Sequence, residues 1–456
     1  MKKVKGKFSN RVLTDPEDLF CYGFDASRKK GLPRAVVRPV TVEEVRTATV
    51  FAFENNIPLV IRGAGTGMTA GAVPVENSVI LSLESMNRIL DIDENDLVVV
   101  VEPGVINSHL QRELEFKGLF FPPDPTSMDF CTIGGNVAEN AGGPRALKYG
   151  VTRDYVLGLE LVLPDGKVLT TGVKTHKGVV GYDLTRLIVG SEGTLAVVTK
   201  VFLKVLPLPE ETVTLLCTFP KLDSAAVAVS KITASRIIPR TLEFMDYGVI
   251  LAVEAYKPFG LPGSAEALLL IEADGPRNSV SDDVEKIASI CTSLGAVVSV
   301  ADDVYAKQRL WEARKAVSPA LYRISPSKIN EDIVVPRSKI PDMLSLLRDI
   351  GNKYRLKIVN FGHAGDGNIH VNIMTDKNDK EEYQRANDAV SDIFEATLKL
   401  GGTISGEHGI GLTKAKYIGM ELSSESIRLM KAIKKVFDPR GIMNPGKGFP
   451  SDEPQT

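Results

Sequence analysis

Apolar positions fall in two different rhythms along this chain, and the rhythm changes near residue 208. In the first part the apolar runs are short and end in glycine-rich turns. Ala35 to Val37, Pro58 to Ile61, Val79 to Leu81 and Leu97 to Val101 read as buried strands. A helix is expected over Val42 to Asn55. Thr41 stands at its N-cap with Glu44 three residues on, and Val45, Ala48, Thr49, Ala52 and Phe53 recur at helical spacing. Ile106 to Lys117 also has helical period; the lone His109 within it carries no assigned role. Val156 to Leu163 and Val168 to Thr170, joined through Pro164-Asp165-Gly166, read as a hairpin. Leu187 to Val189 and Thr194 to Val205 read as strands around Gly190-Ser191-Glu192-Gly193, a turn that serves either a tight hairpin or a ligand.

Leu206-Pro207-Leu208-Pro209 marks a boundary. Beyond it, strands and helices alternate. Strands are expected at Thr212 to Phe219, Ala267 to Ala273, Ala296 to Val300, Asp332 to Val335, Lys357 to Phe361 and Asn368 to Met374. Helices are expected at Ser224 to Ala234, Val280 to Leu294, Ile340 to Tyr354, Tyr383 to Leu400 and Ser424 to Phe437. Single helices between strands, with a hairpin-like pair in the middle, predict a βαββαβ antiparallel sheet with helices on one face.

The run Phe121 to Gly150 fits neither rhythm. It avoids helical and strand periodicity, carries few charges, and contains Gly134, Gly135, Gly142, Gly143 and Gly150. Glycine lets backbone approach a ligand, and freed N–H groups host phosphate or a polarised ring. The alternative is a surface loop with bulges. A second glycine run, RGAGTGMTAG, follows the strand ending at Ile61. Gly65, Gly67 and Ala70 match a dinucleotide fingerprint, but that fingerprint requires a helix next. Here Gly71 and Pro74 intervene and another strand follows, so the Rossmann reading fails on context. A pyrophosphate loop with Arg62 as charge partner, or a plain glycine hairpin, remains.

Composition narrows the class. With 456 residues the chain should hold two or three domains. A net charge of −2 gives no sign of a nucleic-acid or membrane partner, and no apolar stretch approaches the length of a membrane span. Cys21, Cys131, Cys217 and Cys291 are scattered without a CxxC pair, which argues against an iron–sulfur cluster on this chain and for reduced thiols. The basic N-terminus lacks the apolar run of a signal peptide. The reading is cytoplasmic.

Three of the five histidines cluster in two glycine-framed runs, GHAGDGNIH at 362–370 and SGEHGIG at 405–411. Two neutral imidazoles and a carboxylate suit a divalent metal; hydrogen-bonded turn residues are the other reading. Arg314 and Lys328 are candidates to hold a substrate carboxylate, or members of a solvated helix face.

RGAGTGMTAG, PDPTSMDFCTIGGNVAENAGGPRALKYG, GSEGTL, GHAGDGNIH, SGEHGIG and NPGKGF follow one another in this order. In them the chain resembles the FAD-linked D-lactate dehydrogenase and glycolate oxidase large-subunit family, flavoproteins of the vanillyl-alcohol-oxidase type, close to D-2-hydroxyglutarate dehydrogenases. The resemblance spans nearly the whole chain. It implies an α+β protein with a two-part FAD-binding domain, 1–207 completed by 438–456, and a substrate-binding cap, 208–437, whose antiparallel sheet is covered by helices. Arg62, Gly63, Ala64, Gly65, Thr66, Gly67, Met68 and Thr69 would wrap the pyrophosphate. Pro123, Asp124, Ser127, Thr132, Gly134, Gly135, Asn136, Asn140, Gly142, Gly143, Lys148, Tyr149 and Gly150 would line the isoalloxazine and ribityl chain. Glu192 and Gly193 would lie near the adenine end, and Asn444 near the flavin.

The same resemblance makes His363, His370 and Glu407 ligands of a divalent metal (zinc, manganese or iron), His408 the catalytic base and Arg314 the substrate arginine. Lys328 would be a second substrate cation, although its spacing to Pro336 departs from the family pattern. The first glycine loop has Thr66 and Met68 and no histidine, so the FAD is expected to be non-covalent. The implied reaction is oxidation of a small D-2-hydroxy acid, D-lactate or glycolate, to the 2-oxo acid by hydride transfer to flavin N5. Electrons would pass to an iron–sulfur subunit, an electron-transfer flavoprotein or a quinone, and a homodimer is compatible. The alternatives are D-2-hydroxyglutarate as substrate, a non-oxidative flavin enzyme such as the ether-lipid synthases, or a non-catalytic flavin subunit of a larger complex.

Overall fold

A computed structural model describes residues 11–449. The leader-free reading of the first ten residues, and the end of the tail assigned to the cofactor domain, lie outside them. The chain forms two compact units. The first comprises Met1–Gly142, Gly150–Leu208 and Glu407–Thr456; the second comprises Gly143–Tyr149 and Pro209–Gly406.

The strands of the first unit are β1 (Val12–Leu13), β2 (Ala35–Val37), β3 (Leu59–Arg62), β4 (Val79–Ser82), β5 (Ile89–Asp93), β6 (Val98–Val101), β7 (Leu119–Phe120), β8 (Val156–Val162), β9 (Val168–Gly172), β10 (Val197–Lys204) and β11 (Leu206–Pro207). One sheet has the order β1-β2-β4-β3, with β2 and β3 parallel to β4. Parallel strands are covered on both faces, which is why VILS and its neighbours read as continuous apolar runs. The helix Val42–Glu54 connects β2 to β3. Thr41 Oγ1 accepts from Glu44 N at 3.2 Å, and Val45, Ala48, Thr49 and Ala52 turn inward. At the far edge the C-terminal tail joins β3: Leu59 N donates to Ile442 O at 2.7 Å and Asn444 N to Leu59 O at 2.8 Å. The second sheet is antiparallel, β5-β6-β10-β8-β9, and β7 pairs with β11.

Two expectations fail in this unit. Leu187 and Ile188 belong to a helix, Leu184–Ile188, that Asp183 caps by accepting from Arg186 N at 2.9 Å. The turn at 190–193 therefore links a helix to β10. The run 121–150 is not aperiodic either: it contains the helices Ile133–Glu139 and Ala146–Tyr149. Their small residues hide the helical period, and the first starts at Thr132, whose Oγ1 accepts from Gly135 N.

The second unit is one seven-stranded antiparallel sheet. Its strands are β12 (Glu211–Phe219), β13 (Thr241–Asp246), β14 (Ala267–Gly275), β15 (Val297–Val300), β16 (Ser327–Val334), β17 (Lys357–His363) and β18 (Asn368–Thr375), in the order β15-β12-β14-β13-β17-β18-β16. Helices Leu222–Ala234, Arg277–Ser293, Ile340–Tyr354 and Lys380–Lys399 pack on it. Strand alternation sorts its side chains. Leu242, Phe244, Ile369, Val371 and Ile373 form an apolar set. Pairing register puts Glu272, Glu243, His363, His370 and Asp332 on the other face.

That second face is also helix-covered, contrary to the one-sided expectation. Helices Tyr247–Tyr256 and Val304–Lys315 were not legible, nor was β13. Val249, Ile250, Val253, Ala313 and Val317 form a core with Met245, Leu268 and Phe361 of the sheet. The helix Val304–Lys315 hides its period because one of its stripes meets the sheet through polar groups: Lys307, Trp311 and Arg314 all reach buried carboxylates. Among the described residues no helix is long and apolar enough to cross a membrane.

Candidate active site

In the first unit β3 ends at Arg62 and the chain enters the glycine loop. The backbone N–H groups of Ala64, Gly65, Thr66, Gly67 and Met68 find no acceptor among the described residues. Gly65 has φ +70°, and a side chain there would strike the Arg62 guanidinium. Arg62 is itself buried and donates to Phe24 O at 2.8 Å. Across the loop, Thr132 Oγ1 occupies the space that a side chain on Gly63 would need. Asn136 is buried and its Nδ2 has no acceptor among the described residues. Unspent N–H donors around a cradle too tight for Cβ atoms fit the pyrophosphate and carbonyl groups of FAD.

The remaining predicted cradle residues are spread more widely. Pro123 O accepts from Asn107 Nδ2 at 3.1 Å, and Ser127 O caps a turn by accepting from Phe130 and Cys131 N; Asp124 lies between them, half-buried. Gly134 packs on Pro103, and Asn140 ends its helix in the left-handed region with φ 54°. Gly142 lies against Glu407. Gly143, Lys148 and Tyr149 belong to the second unit. There Lys148 Nζ meets Asp274 Oδ1 at 2.5 Å and Tyr149 Oη donates to Asp274 Oδ2 at 2.8 Å. Arg240 Nη1 reaches the same Oδ2 at 3.1 Å. Gly150 returns to the first unit with φ +81°.

The turn that bears Glu407 and His408 is built on the first unit. Thr69 Oγ1 donates to His408 O at 3.1 Å, and Leu412 N donates to Thr69 O at 2.8 Å. Glu192, itself at φ 52°, accepts from Ile410 N at 2.8 Å and Gly411 N at 2.7 Å. Asn444 Nδ2 donates to Glu192 O and Gly71 O, and Lys447 Nζ donates to Asn444 Oδ1. Gly193 fits closely against Ile61. Burial raises the Glu192 carboxyl, and the two N–H groups pull it back. Glu139 beside it was missed from sequence. Burial, then the Glu192 charge, push its pKa well above the ordinary value, and its Oε2 has no partner among the described residues. Burial pulls Lys447 down to about 7.

On the polar face of the second unit, His363 and His370 turn their Nε2 atoms toward each other, 3.4 Å apart. His363 Nδ1 is 2.6 Å from Glu243 Oε1, and His370 Nδ1 is 3.6 Å from Asp332 Oδ1. Asn368 Nδ2 donates to the same Asp332 Oδ1. Arg314 is buried, stacks 4.8 Å over the Phe361 ring and donates from Nε to Glu243 Oε2 at 2.7 Å. Burial alone would raise the Glu243 carboxyl; His363 and Arg314 outweigh it and hold it low. Lys328 Nζ donates to Ser318 Oγ at 3.0 Å. Two facing imidazoles are suited to a divalent cation, and the acid at hydrogen-bond distance behind His363 leaves its facing nitrogen as a lone-pair donor. Glu243, Asp332 and Asn368 were not foreseen. The available signal was an acid inside TLEFMD, an otherwise strand-like hexamer.

A glycine loop between β3 and β4, outside any Rossmann unit and lined by unspent N–H groups, fits the class of FAD-dependent oxidoreductases. Residues 33–172 match the FAD binding domain family and residues 208–448 the family of FAD linked oxidases, C-terminal domain, so the chain belongs to the FAD-linked oxidases. It is 49% identical over 433 residues to the glycolate oxidase subunit GlcD of Bacillus subtilis (strain 168), covering 94% of this chain and 92% of that protein. It is 35% identical over 458 residues to the D-lactate dehydrogenase of Anaerostipes hadrus, covering 98% and 96%. The solved structure of p-cresol methylhydroxylase with substrate bound matches with TM-score 0.80 at 18% identity, over 100% of this chain and 98% of that one. That likeness concerns the fold, which is of the vanillyl-alcohol-oxidase type.

Proposed function

We propose that this chain oxidises a small D-2-hydroxy acid, D-lactate or glycolate, to the 2-oxo acid. The first unit binds FAD and the second binds substrate. The observation that carries the reading is the pair of facing imidazoles, His363 and His370, on the same sheet face as the Glu243-held Arg314. The relatives named as glycolate oxidase subunit and D-lactate dehydrogenase support it.

FAD would be held non-covalently by the 62–69 loop and the 123–150 run, and when bound it would supply a two-electron acceptor for the C2 hydride. A divalent metal would be held by His363, His370 and Glu407 and would supply Lewis-acid charge. Arg314 pairs with the substrate carboxylate and fixes which face of C2 is presented. Lys328 is a second cation for the substrate carboxylate. His408 takes the hydroxyl proton as general base. The buried surroundings of His363 and His370 keep water from competing for the polar groups. Electrons then leave to a separate acceptor, an iron–sulfur subunit, an electron-transfer flavoprotein or a quinone. The Bacillus relative is named as a subunit, which supports a protein partner. A cytoplasmic location agrees with the reduced thiols.

The test is anaerobic bleaching of the flavin band at about 450 nm with glycolate and with both enantiomers of lactate and 2-hydroxyglutarate. Fast bleaching by D-lactate or glycolate, and slow bleaching by L-lactate, is expected. Bleaching by 2-hydroxyglutarate alone would move the assignment to that substrate. A yellow protein that none of them reduces would refute the reading.

A further inference from the structure

Glu243 is the one acid of β13 that lies under both His363 and Arg314. It is 0% exposed, and each carboxylate oxygen has a different partner. Oε1 lies 2.6 Å from His363 Nδ1; Oε2 lies 2.7 Å from Arg314 Nε and 2.6 Å from Nη2. A neutral imidazole carries one proton, and a carboxylate can only accept. The proton therefore sits on Nδ1, and the Nε2 lone pair points at His370 Nε2, 3.4 Å away. The opposite tautomer would set a lone pair against a buried carboxylate. On its other side, the guanidinium lies between Oε2 and the Phe361 ring, which together hold its plane.

We propose that Glu243 is a positioning residue for both halves of the site: it fixes His363 as the Nδ1–H tautomer, with Nε2 available to a cation, and it holds Arg314 in one orientation toward a carboxylate. This rests on the reading above, that His363 meets a metal and Arg314 a substrate. The dual use also explains why an acid is needed. A glutamine could accept from Nδ1–H with its one oxygen, but its amide N–H groups would then face the guanidinium.

The test uses the FAD-loaded, metal-free protein labelled with ¹⁵N-histidine. With five histidines the long-range ¹H–¹⁵N spectrum is assignable, using His363→Gln to mark one ring. The wild type should show His363 protonated at Nδ1 and bare at Nε2. Glu243→Gln should keep that tautomer and raise KM for the hydroxy acid about tenfold with a smaller change in kcat, because only the Arg314 half is lost. Glu243→Leu with Arg314→Met, which avoids stranding a buried charge, should lose the tautomer preference. Its Zn²⁺ affinity, by competition with a chromophoric chelator, should fall about 10- to 100-fold. A wild-type His363 protonated at Nε2 overturns the proposal, and so does a double variant with unchanged tautomer and Zn²⁺ affinity. If the wild type shows the Nδ1–H tautomer, the double variant loses it and neither takes up metal, the positioning role stands and the metal reading falls.

Discussion

Glu192→Gln tests the support of the His408 turn, and it also removes the charge that faces Glu139. The substitution keeps size and the left-handed backbone, which alanine would change in a different way. In the wild type both oxygens accept, from Ile410 N at 2.8 Å and Gly411 N at 2.7 Å. Glutamine offers one acceptor and sets an N–H₂ group against the other N–H. Hydrogen bonds to a charged group are worth about 1.5–3 kcal/mol each, and a stranded buried donor costs about 1–3 kcal/mol. Loss of roughly 3 kcal/mol from the turn corresponds to about a 100-fold rise in its opening. Native-state hydrogen exchange at Ile410 and Gly411 should therefore speed up by about that factor, up to the limit set by global unfolding. Flavin reduction measured by stopped flow should slow about tenfold or more, since His408 spends less time in place. Unchanged exchange at both amides would show that the two bonds do not hold the turn, and the reasoning fails whatever the rate.

Asp274→Ala removes the shared acceptor of Lys148, Tyr149 and Arg240 and leaves Glu272 as the acid beside Arg240; urea unfolding should show a loss of about 1–3 kcal/mol, and no measurable loss would refute the anchor. Glu139 titrates from 4.5 when unfolded to a much higher value when folded, so its contribution is complete below pH 4.5 and lost as pH rises through the folded value. Glu139→Gln should therefore gain stability relative to wild type as pH increases above 4.5, and a pH-independent difference in urea midpoint would reject this. Gly65→Ala, at φ +70° with its Cβ against the Arg62 guanidinium, should yield colourless protein with FAD affinity reduced at least about tenfold by fluorescence titration. Chelator treatment should abolish turnover, and Zn²⁺, Mn²⁺ or Fe²⁺ should restore it; turnover by protein shown to be metal-free would remove the metal.

What was legible in the sequence follows from what periodicity encodes. Val42–Glu54 and Ile340–Tyr354 bury one apolar stripe each, so their spacing announced them. The helix Val304–Lys315 was silent because Lys307 and Arg314 face inward onto acids, and to a hydropathy pattern an inward arginine looks like solvent. β13 was silent for the complementary reason, a carboxylate at Glu243 where an apolar side chain is expected. The histidine runs were visible as clusters, but Glu243 behind His363 comes from a distant stretch of chain and only pairing of β13 with β17 brings it there. Glu192 was visible as a glycine-turn acid, while its use as a clamp depended on residues 410 and 411 far along the chain.

The tail strand at Ile442 to Asn444 has a consequence for biosynthesis. It supplies hydrogen bonds along the outer edge of β3, which is translated well before the tail. Until residue 442 has been made, that edge is an open template for a neighbouring nascent chain. An edge made early is thus sealed late, and a chain that stops before residue 442 would keep it open.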